Sequence, residues 1–234
     1  MKMSKRFLFA ACAWAIAGSA SARAPVLVEL FTAQGCASCG PANALIARLA
    51  DKPDVIALTW SVDYWDYLGW KDSFARPEFA DRQRVFDHRF GLRDVYTPQV
   101  MIGGAEQSSG DKADVVDKMI NEVRHLKAAV PQIRFVAGDK VAIGTGARPQ
   151  GGGEVWLVRF DPRAQNIDVK DGDNRGKTVT LRNVVHELVR LGAWRGTTVT
   201  FKLPAPTEEG LTSLIVVQGA RGGRILGLLR RDPT

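Results

Sequence analysis

The sequence predicts an α/β domain over residues 23–130 and a β-rich, antiparallel sandwich-like module over residues 131–234, behind a leader of 22 residues. Three observations carry that prediction. From Ala24 to about Ala129, apolar strand runs alternate with apolar residues at helical spacing, the pattern of α/β architecture. Beyond Pro131 the texture changes to short alternating strands punctuated by turn residues, as in a sandwich or barrel-like module. Ahead of both, Lys2, Lys5 and Arg6 precede the apolar stretch Phe7–Gly18, and Ala20-Ser21-Ala22 supplies the small-x-small pattern of a signal-peptidase site.

An apolar stretch of about 12 residues is too short to span a bilayer, which takes about 20. No later segment reaches that length, so the expected product is soluble, exported to the periplasm or beyond, with no stable membrane insertion after cleavage. Lipid modification of Cys12 would need an unusually short apolar region and a poor residue at Phe9. Loss of Met1–Ala22 leaves 212 residues and two cysteines, Cys36 and Cys39. A secreted protein stapled by disulfides carries more cysteines at wider spacing, and a bridge closing so short a loop constrains the unfolded chain little. Stability is therefore a weak reason for the pair. The formal charge of +7 falls to +4 without Lys2, Lys5 and Arg6, and no Lys/Arg block with interleaved aromatics is present, which argues against nucleic-acid binding.

Along the first stretch, Val26–Phe31 is an almost continuous apolar run, expected for a central strand buried on both faces. Leu45, Ile46 and Leu49 then recur at helical spacing, and Val55–Trp60 is a second buried strand. Arg76-Pro77-Glu78 opens a helix with Pro77 at its first position, and Phe79, Val85, Phe86 and Phe90 give it an apolar side. Pro98–Ile102 reads as a short strand and Gly103-Gly104 as a hairpin turn. A long helix follows from about Asp111 to Ala129, with Val115, Val116, Met119, Ile120, Val123 and Leu126 on one face. In the second stretch the strands are Ile133–Val136, Val141–Gly144, Val155–Phe160, Ile167–Val169, Val179–Leu181, Val184–Val189, Thr198–Leu203, Leu214–Val217 and Ile225–Leu229.

Cys36-Ala37-Ser38-Cys39 lies where the first strand gives way to a helix, and Thr97-Pro98 follows about 60 residues later. A Cys-x-x-Cys at a helix start holds two thiols within reach of one disulfide. Unpaired N–H groups and the helix dipole favour the thiolate of the first. Cys36 is thus the expected nucleophile, exposed at the helix start. Cys39, one turn further in, is the more buried resolving thiol that closes the disulfide and ejects a captured partner. Ala37-Ser38 carries no charge or imidazole, so nothing in the motif sets an extreme reduction potential in either direction.

Val28-Glu29-Leu30-Phe31 leading to Cys36 and Cys39, a following helix, and Thr97-Pro98 before a strand resemble the thioredoxin-like superfamily. That resemblance implies a thioredoxin-like domain, a cis Thr97-Pro98 bond beside the cysteines, and substrate docking at Thr97 and Pro98 by strand addition. More narrowly, the chain is similar to an uncharacterised secreted bacterial family, domain of unknown function 1223. The matching segments are Val28–Cys36, Val62–Asp72, Tyr96–Gln99 and Asn183-Val184-Val185. Two departures are Gly40, where a second proline is more usual, and Ser61, where a histidine is expected before Val62-Asp63.

Glu29 has two readings. Thioredoxins place a buried acid on this strand to handle the resolving thiol's proton, and a carboxylate in apolar surroundings is raised toward neutrality, as a general base requires. Alternatively it pairs with a basic residue or faces a polar gap between the modules. Tyr64, Trp65, Tyr67 and Trp70 crowd the segment Asp63–Asp72, either as a peptide-groove wall or, the favoured reading, as packing. A metal role is weak: the cysteines could grip Cu(I), but His88, His125 and His186 fall on separate elements outside any spacing motif.

Together these observations predict an exported thiol–disulfide oxidoreductase-like protein acting on a protein or a small thiol or disulfide, with Cys36, Cys39 and Glu29 catalytic and Thr97 and Pro98 binding substrate. It would need no cofactor beyond its own disulfide. The alternatives are a binding or scaffold protein with a static disulfide and, less favoured, a copper-handling protein.

Overall fold

In the computed structural model, residues 24–126 and 130–233 are described; the leader and the end of the long helix expected to reach Ala129 lie outside them. The first stretch contributes β1 (Val26–Thr32), α1 (Gly40–Ala50), β2 (Val55–Ser61), α2 (Pro77–Phe90), β3 (Gln99–Ile102), β4 (Glu106–Ser109) and α3 (Ala113–His125). The second contributes nine strands: β5 (Ile133–Val136), β6 (Lys140–Ile143), β7 (Gly153–Asp161), β8 (Gln165–Asp168), β9 (Thr178–Leu181), β10 (Val184–Trp194), β11 (Val199–Lys202), β12 (Thr212–Gly219) and β13 (Ile225–Arg231).

The expected α/β thioredoxin-like domain followed by a separate β-rich module is corrected here. The described residues are mostly β, with three short α-helices, and strands from both stretches form one mixed eight-stranded sheet in the order β13-β12-β7-β10-β2-β1-β3-β4. The reason is backbone pairing. β1 covers one edge of β2, running parallel to it in the register Val28↔Ala57. Every residue of β2 is buried, so its other edge needs partners away from water. β10 supplies them. Val184 pairs with Thr59, Thr59 N–H donates to the Asn183 carbonyl at 3.0 Å, and the Asn183 amide donates to the Ala57 carbonyl at 2.8 Å.

Layers on both faces explain the apolar patterns. Val28 and Leu30 of β1 meet Leu45, Ile46 and Leu49 of α1 and Val116 and Ile120 of α3. Leu27 and Phe31, pointing the opposite way, meet Phe79 and Phe86 of α2. That same core continues into the second stretch through Val158 and Phe160 of β7 and Leu214 and Val216 of β12. On their other face, Val155, Leu157, Ile215 and Val217 pack against Val141 and Ile143 of a second, three-stranded sheet, β11-β6-β5. Two sheets therefore do stack here, but the larger one is the continuation of the sheet that carries β1.

Two further contacts tie the stretches together. The Gly103-Gly104 turn joining β3 to β4 abuts the Gly222-Gly223 turn joining β12 to β13, and Ile225 N–H donates to the Gly103 carbonyl at 2.8 Å. A side chain at Gly104, where φ is +60°, would strike the Gly223 carbonyl. Deeper in, Arg82 of α2 spans the seam. Its Nε and Nη2 donate to the two Glu29 carboxylate oxygens on β1 at 2.7 and 3.1 Å, and Nη2 also donates to Gln218 Oε1 on β12 at 3.3 Å.

Candidate functional site

β1 delivers the chain to the cysteines. After Thr32 a tight turn closes with Cys36 N–H donating to the Ala33 carbonyl at 3.1 Å, and a single 3₁₀ turn, Ala37–Cys39, runs straight into α1. Pro41 sits in the first turn of α1, where its missing N–H is not needed. Cys36 therefore occupies the cap position of this helical stretch, and Cys36 and Cys39 form a disulfide with their Cα atoms 5.5 Å apart.

The Thr97–Pro98 bond is cis, and Thr97 Oγ1 lies 3.3 Å from Cys36 Sγ. Trp65 decides what that hydroxyl does. Its indole N–H donates to Thr97 Oγ1 at 2.8 Å, and an indole nitrogen can only donate. With its oxygen accepting from Trp65, the Thr97 hydroxyl directs its own proton at sulfur. Ser38 Oγ stands 3.5 Å from the same atom. Aromatic spacing alone favours packing for Trp65; its role here depends on the direction of one N–H, which spacing does not report.

The turn before Cys36 is held from three sides. Gln34 N–H donates to Asp72 Oδ2 at 2.7 Å, and the Trp70 indole donates to Gln34 Oε1 at 2.9 Å. From the second stretch, the Asn174 amide donates to the Gln34 and Cys36 carbonyls at 2.8 and 3.0 Å. Asp72 is buried, and burial raises its carboxyl to about 6, against the pull of the Gln34 and Phe74 N–H groups. The Thr97 loop has its own brace. Gln83 of α2 donates to the Tyr96 carbonyl at 2.8 Å and to Gln99 Oε1 at 2.7 Å, and Gln99 in turn donates to Asp87 at 2.7 Å. Burial pushes the Asp87 carboxyl above its ordinary value.

Residues 27–218 match the model of a family described as a protein of unknown function, DUF1223. The chain belongs to that family. It is similar to the crystal structure of protein AGR_C_4864 from Agrobacterium tumefaciens, with 31% identity, coverage of 92% of this chain and 97% of that one, and a TM-score of 0.72. HBP35 of Porphyromonas gingivalis shares the fold at 13% identity, with 90% of this chain and 76% of that one covered and a TM-score of 0.60. No curated protein matches the chain.

Within this family member the sequence-predicted site residues fall into two groups. Cys36, Cys39, Thr97 and Pro98 are brought together. Glu29 is engaged by Arg82: its carboxylate, 1% exposed, accepts on both oxygens, which is the pairing alternative among its two readings. The expected exposure of Cys36 is corrected. Cys36 and Cys39 are each 1% exposed and belong to the core shared with Phe31 and Phe79. Thr97 and the Asn174-clamped turn close around the sulfur. A cleft of about 610 Å³ begins beside it, between α1 and β9, lined by Cys36, Ala37, Gly40, Ala44, Asn174 and Thr180. Asn174 gave no sequence signal, because it sits in a polar turn, Asp171–Arg175, that reads only as punctuation. Among the described residues no group of three or more His, Cys, Asp and Glu side chains is placed to hold a metal ion, and no helix is long and apolar enough to cross a membrane.

Proposed function

We propose that this chain is an exported thiol–disulfide exchange protein in which Cys36 is the sulfur that captures a partner and Cys39 the sulfur that leaves and returns. The observation that carries the reading is the Thr97 hydroxyl aimed at Cys36 Sγ and locked in that direction by Trp65. A donor fixed on one sulfur of a pair stabilises negative charge there, so the two cysteines are chemically unequal. The resemblance of the Cys36–Cys39 and Thr97-Pro98 segments to those of thioredoxins supports the same chemistry, with Thr97 and Pro98 lying where a partner's backbone would dock.

The exchange balances without any added group. A thiolate of a partner dithiol attacks Cys36 Sγ; a partner–Cys36 bond forms, the Cys36–Cys39 bond breaks, and its electron pair leaves on Cys39, which takes up a proton. The partner's second thiolate then attacks its own sulfur in the mixed disulfide. That closes the partner disulfide and releases Cys36 as a thiolate, at which point the Thr97 hydrogen bond is strongest. The partner loses two electrons and the protein gains them; the reverse sequence reduces a partner disulfide. Glu29 serves in this reading as an anchor for α2, since Arg82 holds both its oxygens.

A second reading, a binding or scaffold protein with a static disulfide, is favoured by the burial of both cysteines. Two measurements separate them. In Cys39→Ser, mixed disulfides should accumulate on Cys36, whereas Cys36→Ser should trap none; equal trapping by both variants defeats the proposed division of labour. A glutathione titration should place the pair above about −300 mV, and a lower potential marks the disulfide as static.

A further inference from the structure

A second cleft, independent of the cysteines, opens on the α2 face of the sheet. There α2 stands away from β7, β10 and β12 and leaves a space of about 840 Å³, within the range of small-molecule sites. Val85, Phe86, Trp156 and Leu188 provide apolar walls. Arg82 also lines it, and this residue makes the cleft more than an apolar gap.

The Arg82 side chain is 6% exposed, and its guanidinium lies 5.2, 5.1 and 6.0 Å from the ring centres of Trp60, Phe86 and Trp156. Nε and Nη2 are occupied by Glu29 and Gln218. Nη1 donates to nothing among the described residues, although it is not sealed from the cleft as the unpaired Trp156 indole nitrogen on the wall is. A guanidinium N–H that opens on a cleft is a charged donor available to an incoming oxygen. The other charges largely cancel locally. Arg190 pairs with Glu154 at 2.9 Å and Arg84 with Asp81 at 2.7 Å, which leaves Glu78, His88 and Arg221 at the edges without an ion-pair partner among the described residues.

We propose that this cleft binds a small amphiphilic carboxylate, its apolar body along Phe86, Trp156 and Leu188 and its carboxylate accepting from Arg82 Nη1. Chemistry narrows the class. A cationic head group would face a guanidinium, and a purely apolar ligand would bury Nη1 without a partner. A carboxylate gives a charge-assisted hydrogen bond there and keeps the Arg82–Glu29 pair intact. The Trp156 and Trp60 rings flanking the guanidinium make occupancy visible in the intrinsic fluorescence.

The test is titration of the intact mature protein with decanoate, decanol and decylammonium, three probes of equal chain length, followed by calorimetry and tryptophan fluorescence. Decanoate should bind saturably at one site and at least tenfold more tightly than the other two. Equal affinity for decanoate and decanol, tighter binding of decylammonium, or no saturable binding would overturn the assignment. Leu188→Trp, a half-buried strand position, should fill the cleft and weaken decanoate at least tenfold; unchanged affinity places the ligand elsewhere. The Cys36→Ser/Cys39→Ser double variant should bind decanoate like the parent, so failure here and failure of the exchange chemistry are read separately.

Discussion

Residues 24–126 and residues 130–233 build one sheet, yet they reach the disulfide in different ways. The first stretch supplies the sulfurs and the hydroxyl that faces them, all at the ends of β1 and β3. The second supplies no reactive group there. Its hydrogen bonds to the turn that carries Cys36 come from a single amide, Asn174, donating to two carbonyls. The two sulfurs are local to one strand-to-helix junction, while a restraint on that junction comes from about 140 residues away in the chain. The second stretch thus braces the turn that carries Cys36 without adding a sulfur or hydroxyl to it.

The largest effect should come from breaking the seam itself. Arg82→Ala leaves Glu29 charged and buried, and truncating one member of such a pair costs about 3–5 kcal/mol. Because β2 and β10 share hydrogen bonds and one core crosses the seam, the parent should unfold in urea as a single transition, with the variant moving the midpoint of the whole curve. Two separated transitions in the parent would show that the stretches unfold independently.

The next effect is a pH dependence centred on Asp72. Burial raises its carboxyl from 3.8 to about 6, so the folded protein holds this proton more tightly than the unfolded chain does. Between those values the folded state binds more protons, and this group's contribution to stability rises as pH falls, levelling off below the unfolded value. The full span is on the order of 3 kcal/mol. Asp72→Asn should remove that slope, so the parent-minus-variant stability should change between about pH 4 and pH 7. Taking the difference matters, because Arg163 holds the Asp161 carboxyl low, and the Thr207 hydroxyl and N–H, with Arg159, hold Glu187 low, so both give the opposite slope.

What the sequence shows and what it conceals divide along the same lines. Strands β5 to β13 coincide with runs of alternating apolar residues, and α2 begins at Pro77, because both signals are local in the chain. The nearness of Thr97 to Cys36 was legible only through resemblance. The joining of β2 to β10 was not legible at all: an all-apolar run reports burial, not which strand lies alongside. Arg82 hid for a related reason. A lone arginine in a polar helical stretch reads as solvated, and only the approach of Glu29, Gln218 and three aromatic rings reveals it as buried.

Loosening the clamp should have a smaller energetic effect but a direct chemical one. Asn174→Ala removes the donor from the Gln34 and Cys36 carbonyls, a loss of about 1–3 kcal/mol. In the reduced protein, Cys36 should alkylate several-fold faster than in the parent, and Cys39 should not. If the rate at Cys36 is unchanged, the second stretch does not control access and the contrast between the two regions fails.

The finest distinction lies within the first stretch. Trp65→Phe keeps an aromatic ring but deletes the N–H that holds the Thr97 hydroxyl on sulfur. The freed hydroxyl can turn to other acceptors, so the Cys36 thiolate loses part of a charge-assisted hydrogen bond and its pKa should rise by about one unit, or ~1.4 kcal/mol. Ultraviolet absorbance of the thiolate against pH reads this directly. Thr97→Val, which deletes the hydroxyl altogether, should raise the pKa at least as far, and combining the two should add almost nothing, since both act through one proton. Additive shifts would mean that Trp65 affects the sulfur by packing, as its sequence neighbours alone imply.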